Sequence, residues 1–230
     1  LIQEKLEQMG VFIEDIPLGD FDVIGEYTAK KSRTPDKKLY KEVGCFFRPN
    51  YERGILIYYL TRKKEFQSIL EIGFGRGYST FCAAKAMCDH GIDGKIITVD
   101  PNINEDFVKH LYKVFPNEWF SKIEFYKGKS SQFFKERKDE DFDFIYIDGD
   151  HRYDAVKDDW LNSKNRFKKA ILFDDYHLPG KVQKDIECAK LIDEIDDFEK
   201  ELIIMDRRIF FDDRRISDKD IDYGQVLITK

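Results

Sequence analysis

Acidic side chains follow two short apolar segments of the sequence, and their types and spacing could hold a cation. Asp148 and Asp150 follow the first segment, and the adjacent Asp174 and Asp175 follow the second. Both segments are rich in branched and aromatic residues, which is typical of buried strands. The carboxyl ends of neighbouring parallel strands lie about 4.8 Å apart at one edge of a sheet. We therefore expect these carboxylates to lie close together.

Close carboxylates need a positive charge between them. Each close pair repels by about 1 to 4 kcal/mol, depending on screening. Oxygen ligands alone favour a hard cation such as Mg²⁺, so we predict a divalent metal bound by Asp148, Asp174 and Asp175. The alternative is that Asp148 and Asp150 cap the next helix, while Asp174 and Asp175 close a solvated turn.

A histidine follows each acidic group, at His151 and His177. Imidazole would move the metal preference toward Mn²⁺, Fe²⁺ or Zn²⁺, and it could also transfer a proton. A histidine after a strand can equally be structural. The sequence leaves these roles open, and His151 is retained as a candidate catalytic residue.

A glycine-rich turn follows another apolar segment, earlier in the chain at 69–72, and has glycines at 73, 75 and 77. Glycines let the chain bend sharply and lie against a nucleoside-sized ligand. Their spacing is Gly-x-Gly-x-Gly, whereas the dinucleotide fingerprint requires a glycine at 78, where this chain has Tyr78. The turn therefore favours a nucleoside ligand other than a dinucleotide.

Polar residues near this turn are candidates for binding the same ligand. Glu71 ends the strand before the turn, where an unpaired buried carboxylate would be costly, and Ser79 lies in the first turn of the next helix. Asp100 ends the second strand and is positioned to accept ribose hydroxyls. Ser131 could contact an adenine or cap a helix. The predicted cofactor-binding residues are Glu71, Gly73, Gly75, Gly77, Ser79, Asp100, Ser131 and Asp148.

Strand and helix patterns alternate from about residue 68, which is typical of parallel strands joined by crossover helices. Two late strands without a long intervening helix indicate an antiparallel edge. The predicted fold is an α/β, Rossmann-like, doubly wound, mostly parallel seven-stranded sheet with an antiparallel edge strand. The predicted strands are 68–73, 95–100, 122–127, 142–147, 169–174, 199–205 and 224–230, and the predicted helices are 51–66, 77–90, 104–115, 130–138, 152–166 and 182–195.

Residues 1–50 lack this alternation and are predicted to form an N-terminal extension, followed by one domain over 51–230. The extension either packs on the sheet or acts as a substrate lid. It contains a basic stretch between Lys30 and Lys41, which is either a solvated face or a phosphate-binding patch.

Composition limits the classes of function. The chain has 230 residues, of which 42% are hydrophobic, and a formal net charge of −6. It is long enough for one substantial core, and its charge gives no general attraction to nucleic acid. No apolar run approaches the roughly 20 residues that span a bilayer. Scattered cysteines and the absence of a signal-type opening predict a cytoplasmic protein, compatible with a homo-oligomer.

Four segments carry a family resemblance. They are LEIGFGRGYST (70–80), ITVDPN (97–102), DFIYIDGDHRYDAVKDDW (143–160) and ILFDDYH (171–177). In these segments the chain resembles a metal-dependent branch of class I methyltransferases, which includes macrolide and aminocoumarin sugar O-methyltransferases and cephalosporin hydroxylases. The resemblance covers about residues 52–195. It implies that Asp148, Asp174 and Asp175 bind Mg²⁺ and that Asp150 is the general base.

These observations predict an S-adenosylmethionine-dependent O-methyltransferase that uses Mg²⁺ or another divalent cation. Its acceptor would be a hydroxyl of a sugar or another small polar molecule. One alternative is a metal-dependent hydroxylase-like enzyme on the same fold, which the histidines favour. Another is an RNA-modifying or RNA-binding protein that uses the basic stretch between Lys30 and Lys41.

Overall fold

A computed structural model describes residues 1–30, 51–177, 186–205 and 223–230. Their centre is a seven-stranded sheet with the order β3-β2-β1-β4-β5-β7-β6. Strands β1 to β5 are parallel to one another, and β7 is antiparallel to both of its neighbours. The strands are β1 (Ser68–Ile72), β2 (Lys95–Val99), β3 (Ile123–Tyr126), β4 (Phe142–Ile147), β5 (Phe167–His177), β6 (Lys200–Ile204) and β7 (Tyr223–Thr229).

Helices cover both faces of the sheet. A short 3₁₀ helix, Ile13–Asp15, lies between the first and second α-helices of the chain. The α-helices are α1 (Ile2–Gln8), α2 (Leu18–Lys30), α3 (Tyr51–Lys64), α4 (Tyr78–Asp89), α5 (Glu105–Leu111), α6 (Asn117–Ser121), α7 (Ser130–Glu136), α8 (Tyr153–Ser163) and α9 (Cys188–Glu194).

The central strands are apolar on both faces, as a covered parallel sheet requires. All six residues of β4 are buried. Successive side chains of β1 enter opposite layers: Ile69 joins one apolar cluster and Leu70 joins the other. Two cores therefore hold the sheet rigidly between the helices, and the ends of β1, β4 and β5 have fixed relative positions.

The predicted fold class is confirmed, with one refinement at the edge. The antiparallel strand β7 lies between β5 and β6, so the outermost strand β6 runs in the same direction as β5. Strand β5 is longer than predicted and includes Asp174, Asp175 and His177. Helix α6 was not predicted, because a helix of five residues is too short to display a periodic apolar face.

The extension contributes helices within residues 1–30. Helix α1 packs against α3, and α2 packs against both α3 and α4. The remainder of the predicted lid and the basic stretch from 31 to 41 lie outside the described residues. Among the residues described, no helix combines the length and apolar character needed to cross a bilayer.

Candidate functional site

A cavity of about 750 Å³ opens at the carboxyl ends of the central strands. It lies where β1 separates β2 from β4, which is the position at which doubly wound sheets bind ligands. Its wall brings together most of the residues that the sequence predicted. They are Gly73, Gly75, Asp100, Ser131, Asp148, Asp150, His151 and Asp175.

The glycine turn forms one side of this cavity. Gly73 has φ +101°, and a Cβ there would lie 2.0 Å from the carbonyl oxygen of Asp148. Gly77 has φ +82°, and a Cβ there would lie 2.4 Å from the ring of Phe74. At Gly75, with φ +51°, a Cβ would meet no atom within 4 Å. The outer glycines thus permit close packing of the turn, and Gly75 keeps the cavity open.

Asp100 is fixed beside the turn by two backbone amides. Gly75 donates to its Oδ2 at 3.0 Å, and Asn102 donates to its Oδ1 at 2.7 Å. The carboxylate remains at the cavity wall with further lone pairs available. It is therefore a preoriented acceptor for hydroxyl groups of a ligand.

Glu71, a predicted cofactor-binding residue, is hydrogen-bonded within the protein. It is buried and accepts hydrogen bonds from Ser79, Thr80 and, at 2.6 Å, Thr98. Glu71 and Ser79 line a separate cavity of about 10 Å³. Within the described wall of the large cavity neither residue is found. Glu71 therefore joins β1 to β2 and α4, beneath the turn.

Burial raises the pKa of Glu71, and its three hydroxyl partners only partly oppose this. A raised folded-state pKa means that folding is favoured below the unfolded value of about 4.3 and loses that advantage as pH rises through the folded pKa. We expect Glu71→Gln to remove this part of the pH dependence. Urea unfolding from pH 4 to pH 8 measures it, and parallel curves for the two proteins would contradict the expectation.

Asp148, Asp150, Asp174 and Asp175 together form the acidic group of the site. Asp174 is the most enclosed of these carboxylates, with no side-chain exposure. Its Oδ2 lies 2.6 Å from Nη1 of Arg53 and accepts a hydrogen bond from the Tyr146 hydroxyl at 2.9 Å. Its Oδ1 accepts one from Nε2 of Gln225 at 3.3 Å. Burial raises the pKa of Asp174, and Arg53 opposes that rise. Residues from α3, β4 and β7 thus hold Asp174.

Asp175 is bonded on both sides and has φ +53°. Nη2 of Arg53 donates to its Oδ1 at 2.7 Å, and Nδ1 of His151 lies 3.3 Å from its Oδ2. Burial opposes ionisation, but the nearby Arg53 guanidinium keeps the pKa of Asp175 below its ordinary value. Asp175 therefore faces the cavity as a carboxylate.

Asp148 lies between the glycine turn and the other acids. Burial, followed by the Asp174 carboxylate, raises the pKa of Asp148 well above its ordinary value. Asp148, His151 and Asp175 each present one ligand atom, and these atoms all lie within 4.8 Å of one another. This donor set fits a divalent cation. Asp174, predicted as a ligand, lies outside that group of three, and His177 is buried.

Asp150 lies at the cavity wall in a partly exposed pair with Arg152. Nε of Arg152 lies 2.9 and 3.0 Å from the two carboxylate oxygens, and Nη2 also donates to Oδ2. These hydrogen bonds lower the pKa of Asp150 to about 2. Asp150 is therefore ionised at neutral pH and is a weak base in this arrangement.

Three residues that contact the acids were not predicted from the sequence: Arg53, Tyr146 and Gln225. Arg53 begins an otherwise apolar helical run, and such a charge needs a buried partner. Tyr146 and Gln225 are polar groups within apolar strands and offered a weaker signal of the same kind. A further buried acid, Asp159 on α8, also lines the cavity, and burial raises its pKa to about 6.

Comparisons with known proteins agree with this geometry. Residues 70–176 match a family described as a methyltransferase domain. The O-methyltransferase TomG from Streptomyces achromogenes, solved with S-adenosylmethionine, is 16% identical with a TM-score of 0.57, over 94% of this chain and 99% of that one. An O-methyltransferase from Bacillus cereus, solved with S-adenosylhomocysteine, is 17% identical with a TM-score of 0.56, over 93% and 100%. No curated protein sequence matches the chain.

The sheet order, the cavity at its switch point and the matched segment are those of the Rossmann-like methyltransferase fold. Residues 70–176 carry a methyltransferase domain, in agreement with the methyltransferase that the sequence predicted.

Proposed function

We propose that the protein transfers a methyl group from S-adenosylmethionine to a hydroxyl oxygen of a small polar acceptor, such as a sugar, with the help of a divalent cation. The supporting observation is that one cavity combines the glycine turn and Asp100 with the acids Asp148 and Asp175. The O-methyltransferases of similar fold are consistent with an oxygen acceptor.

The nucleoside end of the cofactor would lie against the glycine turn. Gly73 and Gly75 line the cavity with backbone. The two backbone amides that donate hydrogen bonds to Asp100 would orient its carboxylate toward ribose hydroxyls. Ser131, at the start of α7, would contact the adenine. S-adenosylmethionine would supply the electrophilic methyl group, and these residues would hold the cofactor in the cavity that the acids also line.

The acidic group would hold the cation and the acceptor. The resemblance implies Asp148, Asp174 and Asp175 as ligands, whereas the three residues whose ligand atoms all lie within 4.8 Å of one another are Asp148, His151 and Asp175. A bound divalent cation supplies charge that orients an acceptor hydroxyl and lowers its pKa. A polar wall of this kind favours an acceptor with several hydroxyl groups over an apolar one.

Asp150 would take the proton of the acceptor. With a pKa of about 2 it cannot remove a proton from a free alcohol, but it is ionised at any physiological pH. As the new C–O bond forms, the acceptor oxygen becomes positively charged and its proton far more acidic. Asp150 can therefore accept that proton late in the reaction, and Arg152 keeps the carboxylate at the cavity wall.

The proposed function is tested by incubating the protein with isotopically labelled S-adenosylmethionine, Mn²⁺ or Mg²⁺, and a panel of sugars, polyphenols and other polyols. We expect label in a methyl ether of a polyhydroxylated acceptor and loss of turnover in excess chelator. Label on nitrogen or carbon would contradict an oxygen acceptor. Full turnover after chelation would contradict the role of the cation.

Asp150→Asn should lower kcat by about 100-fold, because the variant cannot accept the proton. Binding of S-adenosylhomocysteine, measured by calorimetry, should be unchanged, since the carboxylate is not needed for the cofactor. Arg152→Gln is the matched control: it keeps the carboxylate, raises its pKa toward about 3.9 and should retain activity. Equal losses of kcat in the two variants would argue against Asp150 as the proton acceptor.

A further inference from the structure

The four oxygens of the Asp174-Asp175 pair already have partners within the protein. Asp174 is bonded by Arg53 and Tyr146 on one oxygen and by Gln225 on the other. One oxygen of Asp175 is bonded to Arg53, and the other faces His151. The Arg53 guanidinium thus contacts both acids, with Nη1 2.6 Å from Asp174 Oδ2 and Nη2 2.7 Å from Asp175 Oδ1, and it supplies a positive charge to the pair.

Asp174 is consequently unable to bind a metal while Arg53 stays in place. Its side chain has no exposure and that of Arg53 is only 11% exposed, so the ion pair is held by the protein with little contact with solvent. Asp175 differs, because its Oδ2 faces His151 and Asp148 across the cavity. The three-acid ligand set is therefore reduced by one carboxylate.

His151 stands where a third ligand is needed. Its ring nitrogen lies within 4.8 Å of ligand atoms from both Asp148 and Asp175, and the side chain is 35% exposed at the cavity wall. The charges are consistent with a divalent ion. With all three carboxyl groups ionised, as metal binding requires, Asp148, Asp174 and Asp175 would carry three negative charges against one positive charge on Arg53, a formal charge of −2.

We propose that the cation site of this protein is a mixed nitrogen and oxygen site formed by Asp148, His151 and Asp175, and that Arg53 excludes Asp174 from it. An imidazole ligand favours Mn²⁺, Fe²⁺ or Zn²⁺ over Mg²⁺, whereas three carboxylates favour Mg²⁺. Arg53 acts as a positioning residue that sets metal selectivity. The assignment rests on the proposed function for its cation, but its test is independent of methyl transfer.

Electron spin echo spectroscopy of Mn²⁺ bound to the unmodified protein tests the imidazole ligand directly. We expect nitrogen modulation from a coordinated ring, which His151→Gln should abolish while lowering Mn²⁺ affinity by roughly 10- to 100-fold. His177→Gln is the control, since that ring is buried beside the same acids, and the modulation should persist. Bound Mn²⁺ without nitrogen modulation, or no Mn²⁺ binding at all, would overturn the assignment.

The role of Arg53 is tested by measuring Mn²⁺ and Mg²⁺ affinities with and without the guanidinium. In Arg53→Gln we expect Asp174 to become available, so that the preference for Mn²⁺ over Mg²⁺ falls by roughly tenfold. Arg53→Lys keeps the charge and provides a second measurement if the glutamine variant is unstable; it should retain the preference. An unchanged ratio in Arg53→Gln would overturn this role. Loss of methyl transfer with intact nitrogen modulation would count against the proposed function alone.

Discussion

Replacing Gly73 with alanine is expected to destroy the cofactor cavity. The new Cβ would lie 2.0 Å from the carbonyl oxygen of Asp148, and φ is +101°. Neither problem can relax locally, because the contact is with backbone at the end of β4 and the strand is buried on both faces. We expect the free energy of unfolding to fall by about 3 kcal/mol or more, with loss of S-adenosylhomocysteine binding.

Gly75→Ala is the matched control for this change. Its φ of +51° also lies in the left-handed region, where an L-residue is less strained than at +101°, and a Cβ there meets no atom within 4 Å. The expected loss of stability is about 1 kcal/mol, and the fold should persist. Thermal unfolding and calorimetric titration of both variants make the comparison. Equal stability of the two variants would mean that the contact with Asp148 does not govern the turn.

Arg53→Met should also lower the free energy of unfolding strongly. It removes the guanidinium that contacts both Asp174 and Asp175, and Asp174 has no exposure to solvent. Breaking a buried ion pair from one side costs about 3 to 5 kcal/mol. Tyr146 and Gln225 still bond Asp174, so the lower end of this range is expected.

The loss in Arg53→Met should depend on pH in a defined direction. Burial raises the pKa of Asp174 and Arg53 opposes the rise, so removing Arg53 raises that pKa further. A raised folded-state pKa favours folding at acid pH, and the advantage disappears as pH rises through it. Urea unfolding should therefore give a larger deficit at pH 8 than at pH 5.

Arg152→Met is the control for loss of an arginine at the same site. Its pair with Asp150 is solvated, with 73% and 42% of the side chains exposed, so screening limits the loss to under about 1 kcal/mol. If Arg53→Met were as stable as Arg152→Met at pH 8, Arg53 would not be the internal counter-ion of the acids.

Sequence patterns predicted the sheet well because each central strand is a short apolar run followed by a turn. The same regularity located Gly73, Gly75, Asp100, Asp148 and Asp175 at the cavity wall, since strand ends of a parallel sheet share one edge. The position of β7 between β5 and β6 was harder to predict from the sequence. Strand order at a sheet edge depends on pairing between segments, and the alternation of apolar residues is the same in either order.

Side-chain partners inside the site could not be predicted from spacing. Glu71 has the position expected of a cofactor ligand, yet hydroxyls of Ser79, Thr80 and Thr98 from α4 and β2 take its oxygens. Asp174 was predicted as a metal ligand, but it forms an ion pair with Arg53, which lies on α3, 121 positions earlier in the chain. These contacts depend on how helices pack across the sheet, which a single sequence does not display.

The place of β7 divides the site into two parts that depend on segments of different separation in the sequence. The glycine turn and Asp100 depend on β1, β2 and α4, which are close in sequence and can form together early. The acid group is complete only when Gln225 reaches Asp174, and within the described residues β6 pairs with the sheet through β7 alone. The acids therefore depend on the last strand of the chain for one of their contacts, whereas the glycine turn is built from neighbouring segments.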